Sequence, residues 1–157
     1  MFPIIKNTIK NVSPSPKICN EFNYRMNFDG CSKGNPGLAG AGAVIYYDDE
    51  EILCESLFVG EKTTNNHSEY SGLILGLQMA IALNIKNLLV QGDSLLVINQ
   101  MTSKYKCYSP NLIELYNKAK ELEMNFDSIL YQHVLRKFNK RADVLSNMGL
   151  EKNTKII

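Results

Sequence analysis

Four acidic residues stand where the chain changes direction: Asp29 in "MNFDGCSKGNPG", Glu69 in "TTNNHSEY", Asp93 in "VQGDSLLV" and Asp143 in "NKRADVLS". Taken singly, each has an ordinary structural use. Asp29-Gly30 makes a turn, Asn66-x-x-Glu69 resembles a capping box, Asp93 suits a helix N-cap, and Asp143 complements the dipole of a helix start. Brought to one place without matched basic partners, they would instead repel one another strongly. The usual remedy for such a cluster is a hard divalent cation bound through oxygen.

The elements decide whether they meet. Phe22, Tyr24, Met26 and Phe28 alternate with Asn23, Arg25, Asn27 and Asp29, which predicts a strand ending at Asp29, turned from the apolar face and followed by a loop. "LAGAGAVIYY" and "EILCESLFVG" flank Asp48-Asp49-Glu50 as two antiparallel strands around an acidic turn. Tyr70, Leu73, Ile74, Leu77 and Ile81 form a helical stripe capped by Asn66, with Glu69 in the first turn. Glu69 shares a face with Gly72, Gly76 and Ala80, so that face lies close against the sheet and Glu69 points inward. "NLLVQGDS" is a short strand buried on both faces, as in a parallel pair, and "SLLVINQM" turns straight into a helix. A further helix opens at Ser109-Pro110, "SILYQHVLR" gives a fifth strand, and Asn139 caps a closing helix. The order predicts an α/β fold: a five-stranded mixed sheet, three antiparallel strands first and then parallel ones, carrying packed helices. Ligand sites in such sheets gather at the carboxyl ends of parallel strands, where Asp29 and Asp93 meet if strands one and four are neighbours.

A chain of 157 residues suits one domain. Residues 1–20, with two Ser-Pro pairs, read as a loosely held arm, residues 21–152 as the domain and 153–157 as a tail. With 45% hydrophobic and 21% charged residues, no apolar run of membrane-spanning length and no signal-peptide pattern at the start, the composition predicts a soluble intracellular protein, cytoplasmic or nuclear. Cys19, Cys31, Cys54 and Cys107 are scattered, which predicts free thiols and no structural zinc. The net charge of +1 argues against gripping nucleic acid by bulk positive charge. Arg136, Lys137, Lys140 and Arg141 do crowd together, a run more often a solvated surface than a binding patch.

"FDGCSKGNPG", "TTNNHSEY", "GDSLLVINQ" and "NKRAD" resemble, in order, the four signature blocks of the type 1 ribonuclease H family, over residues from about 23 to 150. The resemblance implies the ribonuclease H-like fold with helices on both faces of the sheet. It implies an endonuclease that hydrolyses the RNA strand of RNA–DNA hybrids with two Mg2+ ions, Mn2+ able to substitute, leaving 5′-phosphate products. By it, Asp29, Glu69, Asp93 and Asp143 are the catalytic metal ligands, with Asp29 bridging both ions. Cys31, Ser32, Gly34, Asn35, Thr64, Asn65, Asn66 and Lys137 would bind the substrate; Asn35, Asn65 and Asn66 match positions that contact the minor groove, and Thr64 a position near a DNA phosphate. Turn and helix-entry chemistry accounts for Asn and Thr at these places equally well. The protein would act on a hybrid as a monomer, away from membranes.

The sequence departs from the family's better-known bacterial members. "TSKYKCYSP" replaces their basic, Trp-rich protrusion, and the chain has no Trp. Leu95 stands where Gln is frequent. The loop before the last helix lacks their mobile His; Lys137 occupies it, and His133, on the strand, reads as a packing residue. The pattern is similar to compact archaeal, plant or reverse-transcriptase-associated members. A catalytically weak module that binds nucleic acid or docks a partner is the alternative, as is a nuclease that also cuts double-stranded RNA. The four retained acids favour the enzyme.

Overall fold

The alternation around Met26 sets the first strand, β1 (Tyr24–Gly34), with Met26 and Phe28 fully buried on one face. β2 (Gly37–Tyr47) and β3 (Glu50–Thr63) follow it antiparallel, and β4 (Asn87–Gly92) and β5 (Ser128–His133) join it parallel. In the computed structural model, which describes residues 22–152, the sheet runs β3-β2-β1-β4-β5, so β1 neighbours β4 as expected. The arm expected at residues 1–20, with Cys19, and the tail at 153–157 lie outside the described residues. Asp48 and Asp49, at φ of 50° and 68°, make the tight β2–β3 turn whose positive φ suits strand twist. Cys31, Cys54 and Cys107 are free thiols.

Helices α1 (Asn65–Ala82), α2 (Leu95–Met101) and α3 (Pro110–Glu123) are followed by a 3-10 turn, Arg136–Phe138, and by α4 (Lys140–Glu151). α1 and α4 cover opposite faces of the sheet. On one face Tyr70, Leu73 and Leu77 of α1 pack with Met26, Phe28, Ile45, Leu88 and Val90. Each such aliphatic side chain, fully buried, stabilises the fold by about 1.5–3 kcal/mol. On the other face, Leu145 and Ser146 of α4 press on Gly42, where an added Cβ would lie 2.5 Å from Leu145 Cβ. Among the described residues, no helix is long and apolar enough to cross a membrane.

Several boundaries differ from the sequence reading. β1 continues five residues past Asp29, pairing with β2 as far as Gly34↔Gly37. The apolar alternation stops earlier because β4 leaves β1 at Phe28↔Gly92, so residues beyond are backed by a strand on one side only. α1 is capped by Thr64, which accepts the His67 amide at 3.2 Å, and not by Asn66; Glu69 therefore lies one turn inside the helix. Ser94, and not Asp93, caps α2, which leaves the Asp93 carboxylate free. β5 ends at His133 and not Arg136, since its partner β4 ends at Gly92↔His133.

Candidate active site

The parallel pair β1–β4 ends at Phe28↔Gly92, and the next residue on each strand is an acid, Asp29 and Asp93. Glu69 reaches them because glycine removes what would stand between α1 and β1. A Cβ on Gly72 would lie 2.3 Å from the Asp29 carbonyl oxygen, and one on Gly30 would lie 2.2 Å from the Ser68 carbonyl carbon. Carboxylate oxygens of Asp29, Glu69 and Asp93 lie within 4.8 Å of one another. Asp143, in the first turn of α4, stands beside this trio and not inside it, with Oδ1 4.0 Å from Arg136 Nη2.

The electrostatics show what the trio lacks. Burial, then the charge of Asp93, pushes the Asp29 carboxyl up to about 7; Asp29 is only 4% exposed. Burial and the Asp29 charge hold Glu69 well above the usual carboxylate range. Asp93 is raised by burial, with the Arg136 guanidinium working against the rise. Glu69 Oε2 is buried with no hydrogen-bond partner. A buried acceptor without a donor, in an all-oxygen set of converging acids, fits a hard divalent cation.

The acids form the floor of an open cleft of about 650 Å³. Of the residues with expected substrate contacts, Cys31, Ser32 and Asn65 line it. Ser32 Oγ donates to the carbonyls of Gly34 and, at 2.7 Å, Thr63, which ties the β1–β2 turn to the end of β3 just before the α1 cap. Asn35 Oδ1 makes a second tie, accepting the Asn65 amide at 3.0 Å. Gly34 supplies a φ of 97° at that turn, Thr64 serves as the cap, and Asn66 is exposed on α1; these and Asn35 stand outside the cleft lining. Lys137 stands outside it too, its Nζ 5.1 Å over the Phe138 ring.

The basic cluster divides. Arg136 faces the cleft, while Arg141 turns away to a two-pronged pair with Glu51, at 2.7 and 3.1 Å. His133, read from sequence as a packing residue, is exposed and lines the cleft, with Nε2 3.2 Å from the Asp93 carbonyl. The signal that places it there is register: His133 pairs with Gly92, so the residue closing β5 adjoins Asp93.

Comparison with known proteins fits this geometry. A family model described as reverse transcriptase-like matches residues 27–149. A bifunctional protein of Mycobacterium tuberculosis is 42% identical over 124 residues, covering 78% of this chain and 34% of its own length. A ribonuclease HI of Halobacterium salinarum is 38% identical over 124 residues, covering 79% of this chain and 62% of its own. The chain thus spans about a third to three fifths of the length of these relatives. Among solved structures, the N-terminal RNase H domain of the M. tuberculosis protein superposes with a TM-score of 0.79 at 37% identity, covering 82% of this chain and 94% of that one. A ribonuclease H1 crystallised in complex with an RNA/DNA hybrid superposes with a TM-score of 0.77 at 32% identity, covering 82% and 97%.

Proposed function

The chain belongs to the type 1 ribonuclease H family, and on that premise we propose that it is an endoribonuclease cutting the RNA strand of RNA–DNA hybrids with two Mg2+ ions. The observation that carries the reading is the converging trio Asp29, Glu69 and Asp93 with the unpartnered Glu69 Oε2 at the base of an open cleft. Asp29, Glu69, Asp93 and Asp143 would hold the ions, with Mn2+ able to substitute. Bound there, a metal pair supplies an activated water and neutralises charge on the leaving 3′ oxygen, which leaves 5′-phosphate ends.

The chain's own residues supply placement. The backbone and side chains of Cys31, Ser32 and Asn65 form one wall of the cleft, where polar groups can meet the 2′-hydroxyls exposed in the shallow minor groove of an RNA-containing duplex. Arg136, half-tethered to Asp143, offers a cation at the mouth where a phosphate would enter. The hybrid as substrate also draws support from the relative solved with one.

The test is incubation of labelled RNA–DNA hybrid, double-stranded RNA and DNA duplex, each with Mg2+ and with chelator. Cleavage of the hybrid's RNA strand, abolished by chelator, is expected. An intact hybrid in Mg2+ would overturn the reading, and comparable cleavage of double-stranded RNA would widen the substrate class.

A further inference from the structure

Asn139 is the N-cap of α4 and 2% exposed. An Asn at this position ordinarily accepts a hydrogen bond from an amide of its own first turn. Here it makes no such bond. Both ends of its side chain are committed to β1: Nδ2 donates to the Phe28 carbonyl at 2.9 Å, and Oδ1 accepts from Asn27 Nδ2 at 3.1 Å.

Asn27, 3% exposed, is itself fixed from several directions. Its Oδ1 accepts from Arg25 Nη1 at 3.1 Å, and its Nδ2 also reaches Gln91 Oε1 at 3.4 Å on β4. Gln91 Nε2 in turn donates to Gln132 Oε1 at 2.6 Å on β5. A ladder of buried and half-buried amides thus crosses three strands beneath the start of α4.

The Asn139 end of this ladder adjoins two acids. The Phe28 carbonyl belongs to the peptide that leads into Asp29, and the Asn139 carbonyl accepts the amide of Asp143 at 3.1 Å. A second strap runs beside it: the buried Ser146 Oγ donates to the Asp143 carbonyl at 2.8 Å and lies 3.5 Å from Asp29 Oδ2. Two straps thus join the start of α4 to the end of β1 at the place where Asp29 and Asp143 come together.

We propose that this amide clamp sets the position of Asp143 against Asp29, with Asn139 a positioning residue that acts through Asp143. The inference rests on the reading of both acids as ligands of one metal site. Its chemistry is that of a neutral group spanning two elements: an amide can both donate and accept, so it holds the strand carbonyl and the Asn27 amide at once without adding charge.

The experiment compares the native chain with Asn139→Ala, Asp143→Asn and the double variant. Mn2+ binding to the free protein, by water-proton relaxation, is read beside kcat and KM on the hybrid, with thermal unfolding as a check of the fold. Asn139→Ala is expected to weaken Mn2+ binding about tenfold, the low end for losing a group that orients a ligand, and to lower kcat with KM unchanged. Added to Asp143→Asn, it should cost nothing further. Unchanged Mn2+ affinity, or an equal further loss in the Asp143→Asn background, would overturn the proposal. Should Asn139→Ala fail to fold, Asn27→Ala releases the Asn139 side-chain Oδ1 without changing the sequence of α4 and is judged by the same outcomes. Native protein that binds Mn2+ but leaves the hybrid intact would sink the substrate reading while the metal titrations still decide the clamp. Native protein that binds no Mn2+ would remove both.

Discussion

Asp29 alone among the four acids is fully buried, and burying it has a cost that depends on pH. Its carboxyl holds a proton more tightly in the folded chain, near 7, than in the unfolded one, near 3.8. Protonation therefore favours the fold: the contribution is complete below pH 4 and is lost as pH rises through 7, up to roughly 4 kcal/mol at 1.36 kcal/mol per unit. Metal-free protein should accordingly melt at a lower temperature at pH 8 than at pH 5, and Glu69, raised by the same causes, adds to the trend. Asp29→Asn should flatten that slope and raise the metal-free melting temperature at pH 8, while lowering hydrolysis about 100-fold or more; unfolding scans across pH and a cleavage assay check both halves. Wild-type cleavage by this variant would refute Asp29 as a ligand.

The two neighbouring cations should part company in the same assay. Arg136 lines the cleft and Lys137 lies over Phe138, so Arg136→Ala is expected to raise KM for the hybrid several-fold and Lys137→Ala to leave it unchanged. The meeting of Asp29, Glu69 and Asp93 was legible in the sequence because each sits at a punctuated junction. Asn139 was legible as the cap of the last helix, but its side-chain bonds to β1 and the place of His133 beside Asp93 were not, because these follow from contacts and register between segments remote in sequence, and periodicity carries no register.

At the scale of elements, the site depends on how near α1 lies to β1, and a single methyl tests it. Gly72→Ala would place a carbon 2.3 Å from the Asp29 carbonyl oxygen, which is backbone and cannot swing aside. The helix must lift, at about 1–3 kcal/mol as overpacking usually costs, and a drop in melting temperature of about 3–10 °C should follow, with Glu69 carried off its partners. Gly76→Ala meets first the flexible end of the Met26 side chain and should cost less, a ranking that thermal unfolding of the two variants measures directly. The stripe Gly72, Gly76 and Ala80 announced this approach in the sequence. The true start of α1 and the extent of β1 stayed hidden, because a Thr followed by two Asn offers three competing caps and because a paired strand with one exposed edge carries no apolar alternation.

For the whole molecule, charge sets the grip. With a net charge of +1, one exposed Arg lining the cleft and Arg141 turned away to Glu51, few phosphates can be neutralised at once. The log of hybrid affinity should fall with the log of salt at a slope no steeper than roughly −4, at about −0.9 per phosphate. A slope of about −7 or beyond would reveal a basic surface outside the described fold.

The sheet order has a further consequence, in time. Asp29 comes from the first strand and Asp143 from the last helix, with the remaining two acids between. During synthesis β1 can close its hairpin with β2 early, whereas its pairing with β4 must wait for α1, and α4, which docks on the Gly40–Gly42 face, is made last of all. Until then that face is bare and Asp143 stands apart from Asp29, Glu69 and Asp93, which the sheet and α1 can gather without it. The four-acid cluster is therefore completed only by the last helix, and a chain stopped before Lys140 would hold all five strands and three of the acids while lacking the fourth.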